Sequence, residues 1–234
     1  MARTTTHLSV EELRRRFVQG GEPVSGQLLN RLRRDRRHGV RQIHDLLRRR
    51  LEREREERLR LNAMLNFERV LWKSGVTRIA GVDEAGVGPL AGPVVAAAVV
   101  FPPGAELAGV DDSKLLSPER REELAEEIRS RAAVAVGLAE VGEIDRLNVY
   151  HAALLAMRRA VEALPEPPEH LLVDAREVPE VPCPQNRFDK GDGINFSIAA
   201  ASIVAKTHRD RLMAELDRRH PEYGFARHKG YGTA

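Results

Sequence analysis

The chain has 234 residues, 42% of them hydrophobic, a length and composition that suit one sizeable core plus an appendage. No run of apolar residues reaches the roughly 18–20 needed for a membrane span, and the start Met1-Ala2-Arg3-Thr4-Thr5-Thr6-His7 lacks the apolar segment of a secretory signal. One cysteine, Cys183, excludes internal disulfides and cysteine-based zinc clusters, suits a reducing cytosol, and leaves eight histidines with no H-x-x-x-H pair for zinc.

The net charge of +3 hides an asymmetry, because residues 1–73 hold 19 Lys and Arg against 10 Asp and Glu. This front segment reads as helical. Ser9-Val10-Glu11-Glu12 fits a capping box, a second helix is predicted from Ser25 to Arg37, and a third from about Val40 to Leu71 carries an interrupted apolar stripe. The stretch from Glu52 to Arg60 suits a solvated face laced by i,i+4 ion pairs. Arg33, Arg34, Arg36 and Arg37 begin a cluster reaching Arg50 with few acidic neighbours, the pattern of a surface for a polyanion.

From Thr77 the pattern changes. Strands are predicted at Arg78–Val82, Val94–Phe101, Ala133–Val141 and His170–Val173, with helices from Ser117 to Arg131, Glu143 to Leu164 and Ser197 to Arg219. Strands followed by helix–strand alternation indicate an α/β domain with a mixed sheet, residues 74–234, behind the basic segment 1–73.

Asp83 and Glu84 end the first strand and run into Gly86-Val87-Gly88-Pro89-Leu90-Ala91-Gly92-Pro93. Adjacent carboxylates at a strand end fit either a solvated turn or a site for a hard divalent cation. G-x-G-x-x-A after a strand also suggests a dinucleotide loop, but that motif requires a following helix, and Val94–Phe101 is a β-branched run. Asp174 ends another strand. On the last helix Ala199, Ile203, Lys206 and Asp210 share a stripe, which turns Asp210 either toward the strand ends or into an ion pair with its neighbours. Carboxylates without His or Cys suit Mg²⁺ or Mn²⁺, and a pair of such ions suits displacement at phosphorus.

Gly-x-Asp-Glu-Ala-Gly-x-Gly-Pro-Leu-Ala-Gly-Pro-Val-Val resembles the signature of bacterial ribonuclease HII. Asp112-Ser113-Lys114, Leu172-Val173-Asp174, Lys190-Gly191-Asp192, Ala201–Asp210, His220–Phe225 and His228–Thr233 extend the resemblance in the family's order. The resemblance implies an RNase H-like mixed five-stranded sheet flanked by helices, and a helical N-terminal extension that helps bind substrate. It implies hydrolysis of RNA in RNA–DNA hybrids and incision 5′ of single ribonucleotides in duplex DNA, leaving 3′-hydroxyl and 5′-phosphate ends. By the same resemblance Asp83, Glu84, Asp174 and Asp210 hold two Mg²⁺ or Mn²⁺ ions. Gly86, Val87 and Gly88 read the ribose 2′-hydroxyl, Tyr231 stacks on the sugar, and Ser113, Lys114 and Lys206 act as phosphate or supporting partners. A cytoplasmic monomer is expected.

Two departures stand out. Val87 replaces the family's arginine, and the chain stops at Ala234 where relatives continue into another helical segment, so the catalytic domain is expected to be short there. An active nuclease and a hybrid-binding protein with weak or lost turnover are the two competing expectations.

Overall fold

A computed structural model describes residues 8–233. The chain divides into two compact units, Met1–Arg60 and Leu61–Ala234.

In the first unit the Ser9 hydroxyl accepts from Glu12 N at 3.1 Å and starts α1, Val10–Leu13, which continues as a π-helical segment, Arg14–Gln19. The Ser25 hydroxyl caps α2, Gly26–Arg34. The predicted continuation to Arg37 fails because Asp35 turns to extended backbone and accepts from Arg37 N at 2.9 Å and from its guanidinium. Next comes α3, His38–Met64. Leu13, Phe17, Leu28, Leu32, Val40, Ile43 and Leu47 form this unit's core, at the i+3 and i+4 spacings that bury one helical stripe. Arg33, Arg34 and Arg36 are exposed, whereas Arg37 is tied to Asp35 and donates to Leu8 O at 2.8 Å.

The second unit opens with the last turn of α3. Leu61, Met64 and Leu65 are buried there with Phe101 and Phe196, which explains why the compact unit begins before the change in charge pattern near residue 73. Instead of one helix to Leu71, the chain leaves helical geometry at Leu65 and restarts as α4, Asn66–Lys73. The elements that follow are β1 Ile79–Ala85, β2 Val94–Val100, α5 Pro118–Arg131, β3 Ala133–Ala139, α6 Val141–Glu162, β4 His170–Asp174, β5 Gln185–Phe188, α7 Phe196–Arg219 and α8 Phe225–His228. Ser117 caps α5 with Pro at its first position, as its sequence predicts.

Among the described residues five strands form one mixed sheet, ordered β3-β2-β1-β4-β5. β1 runs antiparallel to β2, which is antiparallel to β3, and parallel to β4, which is parallel to β5. Strand alternation sends Ala97, Val99 and Phe101 toward α5 and α7, and Ala80, Val82, Ala96 and Ala98 toward α6. Gly81 lets α7 lie directly on β1, since a Cβ there would come within 2.1 Å of the Ser197 carbonyl. That packing brings the middle of α7 over the end of β1.

Candidate active site

Because β1 and β4 are parallel neighbours with Val82 opposite Val173, the next residues, Asp83 and Asp174, end up side by side at the strand ends. Ligand sites of α/β sheets form at such carboxyl ends. Asp83 is buried, its Oδ1 accepts from Glu84 N at 2.7 Å, and the Ser202 hydroxyl bonds it from α7. Ser202 in turn meets Ser113 Oγ at 2.9 Å. Burial first, then the charges of Glu84 and Asp174, push the Asp83 carboxyl well above the usual carboxylate range. Burial also raises Glu84, with the guanidinium of Arg176 opposing and Asp174 adding to the rise. Asp174 is raised by burial, relieved by the Gly191 N–H and raised again by Asp192.

Each carboxylate has a local partner. Glu84 Oε1 accepts from Arg176 Nη1 at 2.8 Å, Asp174 Oδ1 from Gly191 N at 2.6 Å, and Asp192 Oδ2 from Lys114 Nζ at 2.9 Å. Among the described residues no three His, Cys, Asp or Glu side chains are gathered as a ready cation cage. The donors nevertheless fit one: Glu84 Oε2 is buried without a hydrogen-bond partner among the described residues, beside carboxylates whose charges oppose one another. All are hard oxygen donors.

Asp83, Glu84, Asp174 and Ser202 line a cavity of about 260 Å³. Asp83, Glu84 and Asp174 form one wall, and the Gly86-Val87-Gly88 loop with Tyr231 forms another. Ser113, Lys114 and Lys206 also line it, so ten of the predicted site residues meet in one place. Gly86 has φ +109°, and a Cβ would come within 2.5 Å of Arg209 Nε and 2.6 Å of Pro93 O, so only glycine fits. Val87 is partly buried against the core on the α6 side, and Tyr231 is half exposed.

Asp210 stands apart. Neither Asp210 nor Asp192 lines the cavity; what separates Asp210 is that its carboxylate is held by Lys206 Nζ at 2.5 Å and Arg121 Nη2 at 3.3 Å, whereas Asp192 acts on Asp174. The i,i+4 spacing that put it on the inward stripe also delivers it to Lys206. The carboxylate that joins Asp174 instead is Asp192, nearly fully buried, in the 3₁₀ turn Gly191–Gly193 that follows β5. Lys190-Gly191-Asp192 is visible in the sequence, but nothing in helical or strand periodicity shows that this turn folds back onto β4. Sequence reasoning also misses Ser202, Arg176 and Arg209. Arg209 follows the apolar Ala199–Ala205 run of α7, and the available signal is a charged residue four positions past a buried stretch.

A mixed sheet in this order, with buried carboxylates at the ends of its two central parallel strands, is the arrangement of ribonuclease H-like nucleases. Residues 80–234 match the family model described as ribonuclease HII, and residues 9–72 match that of the ribonuclease HII N-terminal domain. The ribonuclease HII of Myxococcus xanthus (strain DK1622) is 57% identical over 227 residues, covering 96% of this chain and 78% of its own length. The crystal structure of ribonuclease H2 from Pyrococcus horikoshii OT3 superposes with a TM-score of 0.57 at 28% identity, over 66% of this chain and 81% of that one. RNase HII from Archaeoglobus fulgidus, solved as a complex with PCNA, gives 0.55 at 31% identity, over 67% of this chain and 81% of that one. The chain belongs to the ribonuclease HII family and is a type 2 ribonuclease H. Among the described residues no helix is long and apolar enough to cross a membrane.

Proposed function

We propose that the chain hydrolyses the RNA strand of RNA–DNA hybrids and incises on the 5′ side of single ribonucleotides embedded in duplex DNA. The observation that carries this reading is the set of carboxylates at the ends of β1 and β4, Asp83 buried and Glu84 and Asp174 partly so, each raised by burial first and then by a neighbouring carboxylate, facing a glycine loop across one cavity. Asp83, Glu84 and Asp174 would hold Mg²⁺ or Mn²⁺, with Asp192 as the fourth carboxylate in place of Asp210. When bound, such cations supply Lewis acidity toward a phosphodiester and the water that attacks it.

The protein's own groups do the rest. Lys114 and Lys206 offer ammonium groups at the cavity wall to a phosphate, each already aimed by a carboxylate, Asp192 or Asp210. The backbone of Gly86–Gly88 reads the 2′-hydroxyl, the group that separates RNA from DNA, and Tyr231 stacks on the sugar beside it. Attack at phosphorus breaks the bond to the 3′-oxygen, leaving a 3′-hydroxyl and a 5′-phosphate. Exposed Arg33, Arg34 and Arg36 supply sequence-independent phosphate contacts, with Arg37 already committed to Asp35. The protein works as a cytoplasmic monomer.

An end-labelled DNA duplex carrying one ribonucleotide tests this with Mg²⁺ or Mn²⁺ present. The reading expects cutting 5′ of the ribonucleotide that vanishes in Asp83→Ala. Binding without cutting would make the chain a hybrid-binding protein instead. Equal cutting of an all-DNA duplex would make it an unselective nuclease.

A further inference from the structure

Arg209 is among the largest fully buried side chains, 1% exposed, yet among the described residues no carboxylate lies within ion-pairing distance of it. Its guanidinium is spent on three backbone carbonyls: Nε donates to Pro93 O at 3.0 Å, Nη2 to Ala91 O at 3.0 Å, and Nη1 to Lys229 O at 2.9 Å. A buried cation hydrogen-bonded only to neutral acceptors is costly, and burial lowers its proton affinity, with the Tyr231 hydroxyl and the neighbouring Asp210 carboxylate opposing the fall. A planar, rigid fork of donors is well suited to fixing several groups at set separations.

The carbonyls it holds belong to two segments far apart in sequence, and each segment carries one wall of the ribose-reading site. Ala91 and Pro93 end the loop that begins at Gly86, and Gly86 itself lies on the guanidinium, since a Cβ there would sit 2.5 Å from Arg209 Nε. Lys229 immediately precedes Gly230 and Tyr231. Lys229 and Gly230 take left-handed backbone, φ 51° and 85°. Gly230 packs on the same Ala91 carbonyl, which a Cβ would approach to 2.2 Å. Leu90 N donates to Gly230 O at 2.9 Å, a second tie between the segments. The walls meet where a Cβ built on Gly88 would stand 3.7 Å from Tyr231 Cε1, with no other atom within 4 Å.

We infer that Arg209 is a positioning residue for ribose recognition: it sets the gap between the Gly86–Gly88 loop and the Tyr231 ring, and thereby the preference for a ribonucleotide over a deoxyribonucleotide. This rests on the ribose-reading role proposed above for that loop and ring. Arg209 lines the same cavity, but its three hydrogen bonds go to the backbone carbonyls of the two walls, which is why its role is to position them. Lysine in its place keeps the charge but lacks the rigid, planar fork that spans the three carbonyls.

The test is binding of the full chain in EDTA, where no cutting intervenes, to a fluorescent DNA duplex with one ribonucleotide and to the all-DNA duplex of the same sequence. The wild type is expected to prefer the first at least tenfold. Arg209→Lys should cut that preference to threefold or less while all-DNA affinity stays within twofold and thermal unfolding remains cooperative. Because Arg209 is deeply buried, Gly88→Ala provides a second probe. It narrows the same gap from within, displaces no packed atom, and should lose preference comparably. The double variant should lose no more than the worse single. A cooperatively folding Arg209→Lys with wild-type preference overturns the inference, as do fully additive losses in the double variant. If Arg209→Lys does not fold, a Gly88→Ala protein with wild-type preference overturns it too. A wild type with no preference overturns the ribose-reading role itself.

Discussion

Asp83 shows at single-residue scale how the site opposes the fold that carries it. Its pKa is raised in the folded state, by burial and by Glu84 and Asp174. The folded protein therefore binds more protons there than the unfolded chain, and stability falls as pH rises from the ordinary carboxylate range through the folded value. Above that value the penalty is fully present. Asp83→Asn should then stabilise the cation-free protein at pH 8 by about 3–10 °C, the gain shrinking toward pH 4, because relieving an uncompensated buried charge is worth about 1–3 kcal/mol. Mg²⁺ should raise the melting temperature of the wild type and not of the variant. Failure of the gain to shrink on acidification would contradict this assignment of the buried charge. At Val87, partly buried against the α6-side core, an arginine would have to lift its charge toward the cavity mouth. Val87→Arg should tighten hybrid binding at low salt roughly tenfold, as a charged contact of about 1.5 kcal/mol would; an unchanged dissociation constant rejects that role for position 87.

At the scale of elements, α7 bears Ser202, Lys206 and Arg209, so whatever seats its N-terminus also seats the site. That anchor is Glu68 on α4, fully buried, accepting from Ser197 N at 2.9 Å, Ser197 Oγ at 2.7 Å and Asn195 Nδ2 at 3.3 Å. A carboxylate at a helix N-terminus meets unpaired N–H groups and the positive end of the helix dipole. Glu68→Ala leaves those donors buried and unsatisfied, a loss of about 2–3 kcal/mol, or roughly 4–12 °C in melting temperature. Glu68→Gln, which keeps an acceptor, should recover much of it; equal losses in both would show that the anchor is not a hydrogen-bonding one. Most of these elements are readable from sequence because their signals are local: short apolar runs for β1 and β4, a largely β-branched run for β2, a Ser-Pro start for α5, and a stripe for α7. β5 is not, since Gln185-Asn186-Arg187-Phe188 is a polar edge strand identified only by pairing with β4. Asp192 is obscured for the same reason, because its place beside Asp174 depends on that pairing. Asp210 has the right periodicity, but the same i,i+4 spacing offers the ion pair with Lys206, and its second ion pair, with Arg121 of α5, depends on a tertiary neighbour that no periodicity reveals.

For the whole molecule, charge and chemistry are carried by different units. The first holds the arginine cluster, the second the carboxylates and the cavity. Replacing Arg33, Arg34 and Arg36 with glutamine should weaken binding to hybrid and to DNA alike. It should also reduce the slope of log affinity against log salt by about 2–3, close to one for each phosphate no longer neutralised. The cutting rate at saturating substrate should stay within about twofold, since only binding shared by ground and transition states is removed. A changed slope for hybrid but not DNA would mean the cluster reads more than phosphate charge. Under the function proposed above, hydrolysis would rest on the carboxylates at the ends of β1 and β4 joined by Asp192, with Asp210 outside the set. Single-turnover cutting of the ribonucleotide-containing duplex by Asp192→Asn and Asp210→Asn in parallel separates the two. The expected loss is about a thousandfold or more for Asp192→Asn and less than about tenfold for Asp210→Asn; the opposite ranking would return the fourth carboxylate to Asp210 and refute the assignment.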